Sequence, residues 1–236
     1  MQVSEELVRQ IVQAVLDGSK AGTAAPQTAG DADTAPDSRV SMSGVARINE
    51  NKSSYAGYPV AKKGTDPKEV VIGVGPAFQR EITQNIVGVP HDEILRNIMA
   101  GIEEEGMTPR VVKVLNTSDV GFIGLTAAKL SGSGIGIGLQ SRGTTVIHQK
   151  DLYPLSNLEL FPQAPLITVE TYRKIGRNAA RYVKGEQVTP IPSVNDPMIR
   201  AKFQVKAALM HIVETEQVDH SITAVAWDAE ARGGNK

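Results

Sequence analysis

The sequence has no cysteine and few aromatic residues, and both deficits narrow its chemistry. Its 236 residues include only one Trp, five Tyr and four Phe. The lack of cysteine excludes disulfides, thiol nucleophiles, thiolate zinc sites and iron–sulfur clusters. A stacking platform for single-stranded nucleic acid needs more aromatic rings than these, clustered with basic residues.

Two further absences concern charge and hydropathy. A net charge of −1 gives no bulk positive field that would hold nucleic acid. No apolar run approaches the ~20 residues that a membrane-spanning helix needs, and the N-terminus shows no secretory signal. We therefore expect a soluble, cytoplasmic α/β chain with neither nucleic-acid nor membrane partners.

The first two zones of the chain differ sharply in composition. Residues 1–18 predict an amphipathic helix, because apolar residues recur at three- and four-residue spacing; they are Leu7, Val8, Ile11, Val12 and Val15. Residues 19–67, rich in Ala, Gly, Thr, Ser, Asp and Pro, predict a flexible linker. The helix either packs on its own domain or docks on a partner, and the long linker favours docking.

The third zone, residues 68–215, predicts the globular domain, and residues 216–236 predict a polar, frayed tail. An apolar run at 69–75 is typical of a strand buried on both faces. A helical stripe beginning at His91 and a β-type run at 110–115 complete a strand–helix–strand unit. The expected fold is an open, mostly parallel, Rossmann-like sheet with flanking helices.

The rest of the domain predicts several shorter elements. Strands are expected at Val120–Leu125, Ile135–Gln140 and Thr144–His148, with a helical turn at 126–130. Thr168 is expected to cap a helix. The stretch 188–197 is expected to be a loop, and 203–215 a helix followed by a strand.

Two glycine-rich segments resemble nucleotide-binding motifs without matching them. Gly73-Val-Gly-Pro-Ala-Phe78 has Phe78 where a dinucleotide turn needs its third glycine. Alternate glycines at 132–138 leave one face of a strand without side chains, so a broad flat ligand or a closely packed helix can approach it. These segments alone motivate a competing hypothesis, a stand-alone nucleotide-binding enzyme.

Ligands of open parallel sheets bind beyond the carboxyl ends of the strands, where Asp119 and Arg142 are expected. An Asp–Arg pair there either binds phosphate and ribose or braces two loops, and the residue types leave both open. The four histidines lack metal-ligand spacing, so no metal site is expected in this chain. Since no nucleophile–base constellation is visible, the chain is interpreted as a binder with no catalytic residues.

Several long runs resemble one family. They are Val70–Phe78, Ala100–Gly106, Leu130–Gly138, Gly143–Gln149, Pro154–Pro165, Glu170–Arg173 and Ile175–Tyr182. Over roughly residues 68–215 the chain closely resembles the medium subunits of adenosylcobalamin-dependent diol dehydratases and glycerol dehydratases.

The resemblance implies a dimer of heterotrimers of large, medium and small subunits. Such an enzyme converts propane-1,2-diol, glycerol or ethane-1,2-diol to the aldehyde by radical chemistry, which the cofactor supplies. The large subunit carries the catalytic residues and the substrate's metal ion. The medium subunit clamps the lower side and nucleotide loop of adenosylcobalamin. Since no D-x-H-x-x-G motif is present, the cofactor is expected to keep its own benzimidazole ligand (base-on).

Carried over position by position, the resemblance implies six cofactor-binding residues: Asp119, Arg142, Leu155, Asn157, Pro162 and Arg200. Arg142 stands where the family usually has lysine, so the positive charge is kept in a different shape. Pro197 and Ala201 depart from the family pattern around Arg200.

The N-terminal helix and linker resemble the extension of diol dehydratase medium subunits, which directs the enzyme into bacterial microcompartments. Shell proteins are therefore expected partners of residues 1–18, and the microcompartment lumen is the expected location. The extension favours diol dehydratase. The alternatives are a glycerol dehydratase medium subunit and the small subunit of the dehydratase-reactivating factor, which is itself an expected partner.

Overall fold

The computed structural model describes Tyr55 and residues 57–227. The predicted helix at 1–18 and the predicted linker up to residue 54 lie outside the described residues, as does the end of the predicted tail, residues 228–236. None of the helices in the described part is both long enough and apolar enough to cross a membrane.

The domain is built on one open six-stranded sheet. Its strands are β1 (Glu69–Val74), β2 (Thr108–Val114), β3 (Ile135–Leu139), β4 (Thr145–Gln149), β5 (Glu159–Phe161) and β6 (Ala224–Ala226). In space the order is β5-β4-β3-β1-β2-β6. The three central strands are parallel, and the outer three join antiparallel. The predicted open α/β sheet is confirmed, with its parallel part in the core.

Three helices cover the two faces of this sheet: α1 (His91–Glu104), α2 (Val120–Leu130) and α3 (Val169–Val183). A fourth helix, α4 (Pro197–Glu216), reaches the loop after β3 through Glu214. Side chains of a strand alternate between the two faces of the sheet, and since every residue of β1 is buried, both faces are covered there. Ile72 packs in the cluster that contains the apolar stripes of α1 and α3, while Val71 packs with the α2 residues Ile123 and Ala127. The predicted helix capped by Thr168 is confirmed as α3, since the Thr168 side chain accepts from the Thr171 amide.

The predicted strand at Val120–Leu125 is wrong, because this run and the turn after it form the single helix α2. A short apolar run fits a buried helix as well as a buried strand, so periodicity cannot separate them. The alternate glycines explain the helix's position. A Cβ at Gly136 would lie 2.3 Å from the Ala128 nitrogen, and one at Gly138 would lie 2.6 Å from the Gly124 nitrogen. The bare face of β3 therefore receives a helix rather than a flat ligand.

Two predictions about the C-terminal part also need correction. Residues 203–215 are helical throughout, as part of α4, and no strand forms there. The predicted frayed tail instead adds β6 to the edge of the sheet beside β2, and Trp227 behind it is 1% exposed. Three residues are too few for a recognisable alternation, so β6 carries no periodic signal.

The chain joins the domain earlier than the predicted boundary at residue 68. Val60 bridges to Val225, and the Gly64 amide donates to the Leu130 carbonyl at 2.8 Å. The Tyr55 hydroxyl donates to the Pro76 carbonyl at 2.8 Å. The described end of the predicted linker is therefore held along the sheet by backbone bonds.

Candidate functional site

A cavity of about 680 Å³ lies between α4 and the loops beyond β3. This volume falls in the range of about 300–1,000 Å³ that is typical of small-molecule and cofactor sites. The loops and α2 contribute Ile86, Val120, Arg142, Thr144, Pro162 and Gln163, among others. Helix α4 contributes one whole face, Ile199, Arg200, Phe203, Gln204, Ala207, Ala208 and His211.

Arg142 is the half-buried cation of this cavity. Its Nε donates to Gln140 Oε1 and to Thr144 Oγ1, both at 3.0 Å. Burial lowers the pKa of the guanidinium, while the charges of Glu214 and Asp119 raise it. Within the described part of the chain, no carboxylate lies within salt-bridge distance of Arg142 and its terminal nitrogens donate no hydrogen bond, so they remain available to a ligand.

Asp119 and Arg142 do not form the direct pair that the sequence suggested. Asp119 caps α2: its Oδ1 accepts from the Gly121 amide at 2.8 Å and from the Phe122 amide at 3.2 Å. The two loops are instead braced through Gln140, whose Nε2 donates to the Ser118 carbonyl at 2.6 Å. Asp119 therefore shapes the start of α2, and the next residue, Val120, lines the cavity.

The six predicted cofactor-binding residues fall into two groups. Arg142, Pro162 and Arg200 line the cavity together, although they come from three separate parts of the chain. The other three, Asp119, Leu155 and Asn157, do not line it. Leu155 is 81% exposed. Its loop packs against the start of α2, since a Cβ on Gly121 would lie 2.5 Å from the Pro154 carbonyl oxygen.

Glu214 is a residue that the sequence reasoning missed. It is the one buried side chain of α4, and its carboxylate enters the sheet beyond the ends of β1 and β3. Oε2 accepts from the Ser141 amide and Oε1 from the Ser141 hydroxyl, both at 2.9 Å. Burial raises the pKa of Glu214 to about 7, opposed by the bonds to Ser141 and the charges of Lys113 and Arg142.

The Glu214 carboxylate occupies the space next to Gly75, where the glycines of a dinucleotide-binding turn would leave room for phosphates. A Cβ on Gly75 would lie 1.7 Å from Glu214 Oε1, so the glycine of the Gly73–Phe78 segment makes room for this side chain. Phe78, at the position of the missing third glycine, stacks on the His91 ring with centroids 3.8 Å apart. These contacts give both residues a structural role and leave the nucleotide-binding hypothesis without a site here.

The histidines separate clearly by environment. His91 Nε2 lies 2.8 Å from the Ser141 carbonyl and its Nδ1 accepts from the Gln79 amide, and burial lowers its pKa to about 4. Both ring nitrogens of His148 also lie against backbone carbonyls. His211 lines the cavity. No group of three or more potential metal ligands exists among residues 57–227 and Tyr55.

The cavity combines largely apolar walls with two arginines. Arg142 comes from the loop after β3 and Arg200 from α4. Such walls fit a ligand with a broad apolar body, and paired guanidinium groups fit an anionic group such as a phosphate. Thr144 and His211 also line the cavity, and the Thr144 hydroxyl accepts a hydrogen bond from Arg142 Nε at 3.0 Å.

Part of this chain is similar to known proteins. Residues 75–189 match the model of the family described as dehydratase medium subunit. A solved glycerol dehydratase reactivase is 19% identical with a TM-score of 0.42, over 50% of this chain and 94% of that one. A diol dehydratase-reactivating factor, solved with ADP and Mg²⁺, is 25% identical with a TM-score of 0.37, over 55% and 99%. The matched residues 75–189 include Asp119, Arg142 and Pro162.

Proposed function

We propose that this chain binds the lower face and nucleotide loop of adenosylcobalamin as the medium subunit of a diol dehydratase. The family is one of subunits of multi-subunit dehydratases, which are lyases. The observation that carries the proposal is the convergence of Arg142, Pro162 and Arg200 on one cavity. These three are among the six cofactor-binding residues that the resemblance to dehydratase medium subunits implies.

The chemistry of the cavity fits such a cofactor. A corrin ring has broad apolar surfaces with amide side chains, and its nucleotide loop carries a phosphate. Phe203 and Pro162 offer apolar contact, and Gln204 offers both a donor and an acceptor to amides. Arg142 has terminal N–H groups that point to no acceptor within the described residues, as a phosphate-binding guanidinium requires.

The proposal assigns binding of the cofactor to this chain and the chemical reaction to the cofactor and the large subunit. Bound adenosylcobalamin supplies the radical chemistry by homolysis of its cobalt–carbon bond. The described residues of this chain supply a shaped, partly dry surface and fixed positive charge. The reacting substrate, its metal ion and the catalytic residues are assigned to the large subunit, so the chain alone should not dehydrate propane-1,2-diol.

The test is corrinoid retention by the assembled enzyme. The chain is co-expressed with dehydratase large and small subunits, and cyanocobalamin binding is titrated for the wild type and for Arg142→Ala and Arg200→Ala. Loss of a charge-assisted bond of about 1.5–3 kcal/mol should weaken binding about 10- to 100-fold. Arg96→Ala removes the same charge from the exposed face of α1 and is the matched control.

Three outcomes decide the proposal. Weaker binding by both cavity variants with a normal control supports it. Unchanged binding by both variants contradicts the assignment of the cavity to the cofactor. Turnover of propane-1,2-diol by the chain alone contradicts the non-catalytic role.

Arg142→Lys, which restores the residue usual in the family, is expected to retain most of the affinity for cyanocobalamin because the positive charge is kept.

The base-on state of the cofactor is a separate part of the proposal. His211 is the histidine that lines the described cavity, so it is the side chain that would compete with the benzimidazole for cobalt. Electron paramagnetic resonance of the reduced cofactor with ¹⁵N-labelled protein distinguishes the two ligands. We expect no ¹⁵N splitting from the protein and an unchanged spectrum in His211→Ala; protein-derived splitting would contradict the base-on assignment.

The remaining partners are proposed on the sequence alone. The apolar stripe within residues 1–18 supports docking to microcompartment shell proteins, and the reactivating factor is a proposed partner of the assembled enzyme. Deleting residues 1–18 should leave dehydratase activity intact and release the enzyme from sedimenting shells. Continued co-sedimentation of the truncated enzyme would refute this docking role.

A further inference from the structure

Helix α4 forms the outer wall of the cavity, yet little apolar packing holds it. Its cavity face carries Ile199, Phe203 and Ala207, whereas Met198, Val205, Leu209 and Ile212 on the opposite face are between 52% and 76% exposed. Glu214 is its one buried residue. A helix with so little buried apolar surface depends on its polar contacts for a fixed position.

Those polar contacts are few. Near the start of α4, the Asp196 amide donates to Gln163 Oε1 at 2.9 Å. In the middle, Lys206 Nζ donates to the Ile86 carbonyl at 2.6 Å. Near the end, Thr215 and Ser118 hydroxyls lie 3.0 Å apart. Each of these contacts involves an exposed or half-buried side chain, where water competes for the bond.

The contact of Glu214 is shielded from water, because Glu214 is only 2% exposed. Both carboxylate oxygens are bonded to Ser141, the residue that precedes Arg142. The same carboxylate fills the space above Gly75 at the end of β1. One side chain thus ties the end of α4 to the central strands and to the loop that carries Arg142.

We propose that Glu214 is a positioning residue, whose buried carboxylate fixes α4 to the loop after β3 and thereby sets where Arg200, Gln204 and His211 stand around a bound ligand. Its role in ligand binding rests on the proposed function, whereas its role in holding α4 does not. Glu214 lies one helical turn beyond His211 on the cavity face of α4, so a shift at Glu214 is transmitted along that face.

Amide hydrogen exchange of the full chain tests the anchoring. At pH 5 the wild-type Glu214 side chain is largely protonated, because burial raises its pKa to about 7. In Glu214→Ala the amides of 197–216 should then exchange about ten-fold faster or more, since two buried hydrogen bonds are lost. Glu214→Gln should exchange like the wild type at this pH, because the amide side chain can still accept from the Ser141 nitrogen and donate to its hydroxyl. Glu216→Gln makes the same charge change two residues on and is the matched control.

Gly75→Ala tests the same anchor from the opposite side. Gly75 is outside the left-handed backbone region, and the three atoms nearest to the new methyl group would all belong to the Glu214 carboxylate. The flexible carboxylate should therefore be displaced while the fold is kept, with faster exchange in α4. If both substitutions break one contact, combining Gly75→Ala with Glu214→Ala should add no further acceleration.

The second readout is cyanocobalamin affinity of the assembled enzyme. Glu214→Ala and Gly75→Ala should weaken binding about ten-fold, and Glu214→Gln should restore it. Unchanged exchange in α4 of Glu214→Ala overturns the anchor. Faster exchange with unchanged affinity overturns the positioning role in binding while the anchor stands. If the wild-type enzyme does not retain cyanocobalamin, the proposed function fails, and the exchange experiment still decides the anchor.

Discussion

Glu214 should impose a measurable pH dependence on the stability of the domain. Its folded pKa is raised by burial to about 7 from an ordinary value of 4.5. A carboxyl group with a raised pKa binds its proton more tightly in the folded state, so the folded state loses stability as the pH rises through this interval. At 1.36 kcal/mol per pKa unit, the loss reaches about 3 kcal/mol above pH 7.

Replacing Glu214 by Gln removes this titration and leaves every other ionisable group in place. The free energy of unfolding of Glu214→Gln minus that of the wild type should therefore rise by about 3 kcal/mol between pH 4.5 and 8. His91 titrates in the opposite sense, because burial lowers its pKa to about 4. Its contribution is lost as the pH falls from 6.5 to 4, but it is common to both proteins and cancels in the difference.

Urea denaturation, followed by the fluorescence of the buried Trp227, measures both free energies at each pH. Glu216→Gln is the control, and its difference from the wild type should stay flat over the same range. Parallel curves for the wild type and Glu214→Gln would refute the reasoning, as would a Glu214→Gln protein that is less stable at pH 8. Either result would mean that the carboxylate gains more from Lys113, Arg142 and Ser141 than it loses through burial.

Three further predictions concern stability. Gly138→Ala places a methyl group 2.6 Å from the Gly124 nitrogen and should cost about 1–3 kcal/mol, which calorimetry would show as a lower Tm; Gly57→Ala, with nothing within 4 Å, is the control. Asp119→Ala should cost about 1 kcal/mol in urea denaturation through the lost cap of α2, while Asp119→Asn should keep the cap; equal losses would contradict capping. Tyr172→Phe removes the buried bond to the Gly143 carbonyl and should cost about 1 kcal/mol in the same assay, and no loss would contradict that bond's contribution.

The central part of the fold could be predicted because its signals are local and strong. The buried strand at Glu69–Val74, the stripe of α1 and the cap of α3 each follow from a few neighbouring residues. Helix α2 could not, because Val120–Leu125 carries glycines and apolar residues that suit a strand and a buried helix alike. The helix is favoured because it packs on the glycine face of β3. This contact joins two separate segments, so the local hydrophobic period of either segment cannot predict it.

The cavity shows the same limit at a longer range. The sequence predicts Arg142 and Arg200 as separate binding residues, and it is the path of α4 that brings them to one cavity. The full extent of α4 could not be predicted, because its apolar residues lie on two opposite faces and form no single stripe. Phe203 lies on one of these faces and Val205 on the other. Glu214 was missed for a related reason, since a lone glutamate near the end of a helix is usually solvated. Its signal is the pairing with Gly75, a glycine with no conformational need to be one, and that pairing becomes visible only once the two residues are placed together.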